Sequence, residues 1–176
     1  MVASGDFLIA VPLTHPEDRD AWLDKIWVYP KNRTLVGEKT VENAQDFTVG
    51  STVTWTIDLD NPSVRDQSTG EFVATDRFQV LDTIQDEYLS TTVAGVNVTV
   101  PAGLTKGAAN DYTVDLVAGT GPNPGNGIAV GSTQVQITFT DAGRAKLAAE
   151  MNATTPVTNV EITLDTVVNK VGVIEN

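Results

Sequence analysis

The chain has no cysteine, one histidine and few aromatic residues. Without a thiol there is no disulfide framework, no thiolate nucleophile and no cysteine-based zinc site. His15 sits in the loop-like Thr14-His15-Pro16, and one histidine supplies neither a multi-histidine metal centre nor the partners of a His-dependent triad. No apolar run is long enough to cross a bilayer as a helix, and no secretion signal or C-terminal sorting signal is visible. Met1 stands directly before Val2-Ala3-Ser4-Gly5, which with those absences reads as an expressed fragment. Basic residues are scarce: 11 Lys and Arg against 23 Asp and Glu give a formal charge of -12. That balance disfavours nucleic acid and anionic membranes as partners.

What is present is β patterning with enough apolar content, 41%, to build a core. Val53, Trp55, Ile57 and Leu59 alternate with Thr52, Thr54, Thr56 and Asp58, the signature of a half-buried strand that stops at Asn61-Pro62. Similar sets are Phe78/Val80, Val96/Val98/Val100, Tyr112/Val114/Leu116, Val135/Ile137/Phe139 and Val160/Ile162/Leu164. Residues 119 to 127, rich in Gly and Pro, read as an irregular loop. One helix is expected from an Asp141 N-cap through Ala145, Leu147, Ala148, Ala149 and Met151, ending near Asn152. Many short strands separated by turn signals predict an all-β chain, an immunoglobulin-like antiparallel sandwich with one short helix. That domain spans residues 34–176, and residues 1–33 read as the tail end of a preceding domain.

Within that tail, residues Trp22 to Lys31 form the most distinctive stretch. Trp22, Ile26 and Val28 share parity, so an extended strand places them on one face. Pro30, after Tyr29, has no N–H to donate, so pairing ends there and Lys31 stands at the strand's edge. The pattern Trp, three residues, Val, one residue, Val-Tyr-Pro-Lys is the pilin motif of sortase-assembled Gram-positive backbone (shaft) pilins of the SpaA type. This stretch resembles it at every position but one, where Ile26 replaces a valine. The resemblance implies that Lys31 is the acceptor nucleophile which a class C sortase joins to the C-terminus of the next subunit. It further implies a Cna-type sandwich, an extracellular, cell-wall-anchored pilus, and neighbouring pilin subunits as covalent partners. It implies no cofactor, no metal and no enzyme activity on an external substrate.

The same family reinforces its domains with intramolecular Lys–Asn amide bonds that form without an enzyme. The chemistry needs a lysine that loses its proton, which burial among apolar groups favours. It needs a polarised asparagine amide and a carboxyl group that donates a hydrogen bond and shuttles protons as ammonia leaves. By resemblance the lysine lies on the first strand of the domain, the acid on a central strand and the asparagine on the last. Lys39 in Gly37-Glu38-Lys39-Thr40-Val41 shares a face with Leu35 and Val41 and is the candidate lysine. Asp82 continues the Phe78/Val80 face and is the candidate acid, with Asp76, Asp86 and Glu87 as alternatives. Asn169, opening Asn169-Lys170-Val171-Gly172-Val173, is the candidate asparagine. Its parity is opposite to Val160, Ile162 and Leu164, so a bulge has to turn it inward. Asn176 is the poorer alternative, because a fraying end does not hold geometry.

Two weaker signals remain. Asp58, Asp60, Asp66 and Glu71 cluster around one loop, without the spacing of a calcium-binding hand, and read as a solvated acidic surface. Asn32, Asn97 and Asn152 open Asn-X-Thr sequons of the kind that arise by chance. A structural pilus subunit is therefore the leading expectation. The competing one is an adhesin-type module gripping a host ligand through a tip loop such as residues 119–127.

Overall fold

The computed structural model describes residues 37–41, 47–122 and 124–171. The chain divides into two units, Met1–Thr34 and Leu35–Asn176, and all described residues belong to the second. The motif residues Trp22, Ile26, Val28, Tyr29, Pro30 and Lys31 lie outside the described residues, as do Leu35 and Asn176.

The order of elements is β1 (Gly37–Val41), β2 (Thr52–Asp60), β3 (Val64–Arg65), β4 (Phe72–Val73), β5 (Gln79–Gln85), β6 (Leu89–Val100), β7 (Tyr112–Ala118), β8 (Ser132–Phe139), α1 (Asp141–Met151) and β9 (Asn159–Val168). A four-stranded sheet runs β1-β2-β9-β6 and a three-stranded sheet runs β5-β8-β7, every neighbour antiparallel; β3 and β4 make a small separate ribbon. The fold is an immunoglobulin-like antiparallel sandwich. The alternations that mark strands in the sequence become its two inner faces. Val160, Ile162 and Leu164 of β9 pack with Val135, Ile137 and Phe139 of β8, all essentially without solvent contact. Each such aliphatic side chain withdrawn from water stabilises the fold by about 1.5–3 kcal/mol.

The helix begins one residue earlier than its sequence suggests. Thr140 is the N-cap, its hydroxyl accepting from the Gly143 N–H at 3.2 Å, and Asp141 falls in the first turn. A cap must have extended backbone, and β8 delivers Thr140 in that state, with φ -71° and ψ 171°. Arg144 donates one hydrogen bond to Asp141, and its guanidinium also donates to the carbonyls of Thr75 and Phe139.

Below the helix lies Asp111, its side chain 3% exposed. Its carboxylate accepts from the Thr105 N–H and hydroxyl and from Lys146 Nζ at 2.8 Å. Burial by itself would raise its pKa, but these donors outweigh burial and hold the carboxyl below its ordinary value of 3.8. The stabilisation this pairing adds is complete above the unfolded pKa and disappears as pH falls through the folded one. Unfolding free energy is therefore expected to decline on acidification below about pH 4. In Asp111→Asn that part of the decline should be missing, at a cost of about 1.5–3 kcal/mol at neutral pH. Urea titrations of both proteins across that range measure the difference.

The Gly- and Pro-rich loop between β7 and β8 is more ordered than its composition indicates. Asn126 ties it together: Oδ1 accepts from the Thr120 and Ile128 N–H groups and Nδ2 donates to the Ala118 carbonyl. Gly121 and Gly127 adopt φ of 86° and 79°, the left-handed region, and each donates a backbone hydrogen bond across the loop.

Candidate functional site

Among the described residues, β1 is an edge of the larger sheet and β5 an edge of the smaller one. In β1, Lys39 stands opposite Ile57, and Ile57 is buried, so Lys39 points to the interior. In β5 the buried residues are Val80 and Ile84, so Asp82 between them also points inward. The two side chains meet across the sandwich. Lys39 Nζ lies 2.9 Å from Asp82 Oδ1 and 2.8 Å from Oδ2, with the side chains 19% and 14% exposed.

Trp55, opposite Val41 on β2, completes the surroundings: Lys39 Nζ stands 4.8 Å from the centre of its ring. The indole is itself fixed, donating at 3.0 Å to the buried Thr166 hydroxyl, which donates onward to the Val53 carbonyl. Trp55 belongs to the inward set visible in the sequence. Its part in the site depends on strand pairing, which the sequence does not state. An amine and a carboxyl group in direct contact are two of the parts that amide formation needs, a nucleophile and a proton relay. Of the alternative acids, Asp86 and Glu87 lie beyond the end of β5, and Glu87 pairs with Lys170.

Asn169 is not brought to this pair. Ile57 is opposite Ile162 on β9, so Ile162 marks the row of Lys39, and Asn169 follows seven residues later. That is roughly 23 Å along an extended strand, well beyond a lysine's reach. The bulge needed to turn Asn169 inward is also missing. β9 keeps its even residues buried through Val168, because pairing with β2 is continuous from Asp60↔Asn159 to Thr52↔Val167. The register irregularities along β9 fall on its partner β6, between Thr91 and Val96 and between Val98 and Val100. Asn169 is exposed, its Oδ1 accepting from Ser90 Oγ and its Nδ2 donating to the Asp86 carbonyl.

The acidic cluster also separates. Asp66 caps its own turn, accepting from Ser68 and Thr69, and Asp58 accepts from Asn159. Hydrogen bonds from Ser68 hold the Asp66 carboxyl below its usual range. Among the described residues no group of three metal-ligating side chains converges.

Against known proteins, no family model matches the chain. The fimbrial subunit type 1 of Actinomyces viscosus is 25% identical over an alignment of 181 positions, which takes in 100% of this chain and 32% of that protein. Among solved structures, the fimbrial protein FimP of Actinomyces oris superposes with a TM-score of 0.53 at 25% identity, over 93% of this chain and 34% of that one. The similarity is to fimbrial subunits. It supports a pilin of a Gram-positive bacterium, and the chain spans about a third of the length of each relative.

Proposed function

We propose that this chain is a stretch of a covalent pilus shaft, exposed on the cell surface and anchored to the wall, with neighbouring subunits and a class C sortase as its partners. The observation that carries the reading is the similarity of the entire chain to a fimbrial subunit, in a sequence that also holds the Trp22–Lys31 motif. Lys31 is the acceptor amine. It attacks the acyl-sortase intermediate carrying the next subunit's C-terminus, forming an amide and releasing the enzyme's thiol. Lys31→Ala is expected to abolish ligation of a sorting-signal peptide by a class C sortase, with the sandwich still folded. Lys31→Arg should fail equally, because a guanidinium does not deprotonate near neutral pH. Ligation that persists in both variants at another lysine would overturn the assignment. Trp22→Ala should slow ligation without abolishing it, since the motif gives that ring no reacting atom.

Lys39 and Asp82 are the nucleophile and the proton shuttle of an internal amide bond. The neutral Lys39 amine attacks an asparagine Cγ, the carbon–nitrogen bond of the amide breaks, and ammonia leaves with protons relayed through Asp82. Asn169 would have to leave Ser90 and Asp86 and cross the register of β9 to take part. That leaves the alternative, Asn176, as the acyl donor, a role that requires this end of the chain to be held beside Lys39 rather than frayed.

A further inference from the structure

The chain leaves β9 under a set of contacts that neither lysine's chemistry uses. Asn169 donates its backbone N–H to the Tyr88 carbonyl at 2.7 Å and its side-chain amide to the Asp86 carbonyl at 3.1 Å, while accepting from Ser90 Oγ at 3.0 Å. Lys170 pairs with Glu87, and its ammonium stands 5.6 Å from the Tyr88 ring centre. All four partners lie on the connection from β5 to β6 or at the start of β6, and those strands belong to different sheets.

We propose that Asn169 and Lys170 form a latch that clips the outgoing chain to the β5–β6 connection and passes tension on it into both sheets. The topology explains the need. β1 and β9 both run antiparallel to β2, so they are parallel to each other. The described chain enters β1 at Gly37, opposite Leu59, which in turn faces Val160 near the beginning of β9. It leaves β9 at Val168, beside Ser51 and Leu89, at the other end of the sheet. Opposed pulls on the two ends load the β1-β2-β9 ladder lengthwise, and its hydrogen bonds share the strain. The weak point is the exit, where the last pairs of β9 end the ladder and meet the pull first. Among the described residues only Val171 meets a pull from that side before Lys170 and Asn169. Their contacts bring β5, and hence the second sheet, into the resistance. The load-bearing role rests on the pilus reading; the latch as a closed contact does not.

Hydrogen exchange on the full chain tests the latch directly. Asn169→Ala removes both side-chain bonds, and exchange of the residue 169 amide and of Val168 is expected to accelerate about tenfold. Lys170→Glu should accelerate it about two- to fivefold, and the charge swap Glu87→Lys with Lys170→Glu should restore the parent rate. Unchanged exchange in Asn169→Ala, or a swap that fails to rescue, overturns the latch. The second arm pulls the full chain by its two ends in a Lys39→Ala background, where no side-chain amide bypasses the strands. Asn169→Ala is expected to lower the rupture force. Faster exchange with an unchanged rupture force overturns the load-bearing role, and sortase ligation at Lys31 reports on the pilus reading separately.

Discussion

The intact protein is expected to weigh one ammonia less than its sequence. Lys39 and Asp82 supply two of the three groups that this loss requires, an amine and a carboxyl in bidentate contact between the two sheets. What an intramolecular reaction adds is effective concentration, because an amide held beside that amine needs no further encounter. The closed loop from Lys39 to Asn176 would hold about 140 residues, for which the chain-entropy relation gives about 5 kcal/mol. On a chain of this size that corresponds to about 10–20 °C in thermal midpoint. Reductants should leave the midpoint unchanged, since an amide has no reducible bond. Asp82→Asn keeps the volume of the side chain and removes the proton shuttle, so it should carry its full sequence mass and melt lower. Lys39→Ala should do the same. Mapping of the branched peptide decides the donor: a junction at Asn176 supports the assignment, and one at Asn169 transfers it. A full mass for the parent protein removes the bond altogether.

The two halves of that site were unequally legible in the sequence, and the reason is parity. Lys39 and Asp82 each lie inside a regular strand, so their faces follow from apolar neighbours two residues away, Val41 in one case and Val80 in the other. Asn169 lies one residue past the end of β9, where alternation no longer says which way the chain turns. The bulge that the sequence suggests for β9 is not in that strand. The irregularities belong to β6, where Gly95 lets the chain approach the Asp165 carbonyl closely, and nothing in β9 itself records that. Trp55 shows the same limit in another form. Its inward orientation follows from alternation, but its place beside Lys39 depends on the β1–β2 register, which is set by the hairpin as a whole. The loop at 119–127 reads as irregular because glycine and proline count as breakers. Only the structure shows one asparagine hydrogen-bonding three backbone groups, with the N–H of Asn126 itself donating to Thr120 Oγ1.

Gly143→Ala is the substitution for which local propensity and packing give opposite answers. In a helix interior alanine is favoured over glycine by about 0.5–1 kcal/mol, so α1 considered alone should gain from the change. Packing reverses the sign. A Cβ at position 143 would lie 2.0 Å from the Asp111 carbonyl oxygen and 2.8 Å from its carbon. Both obstacles are backbone atoms, and they are not free to retreat. The Asp111 carbonyl accepts from the Thr140 N–H at 2.9 Å and from the Thr140 hydroxyl, and its carboxylate is tied to Thr105 and Lys146. The helix must therefore lift away, straining its own N-cap and the Lys146 contact together. A net loss of about 1–3 kcal/mol is expected, the usual range for overpacking a close contact. Ala142→Gly serves as the control, being one residue away, exposed, and subject to the propensity term alone. It should cost about 0.5–1 kcal/mol with no change elsewhere. Urea midpoints at constant slope read both effects. A Gly143→Ala protein more stable than the parent would show that α1 does not sit this close to Asp111, and the account of the buried carboxylate beneath it would fall with that contact.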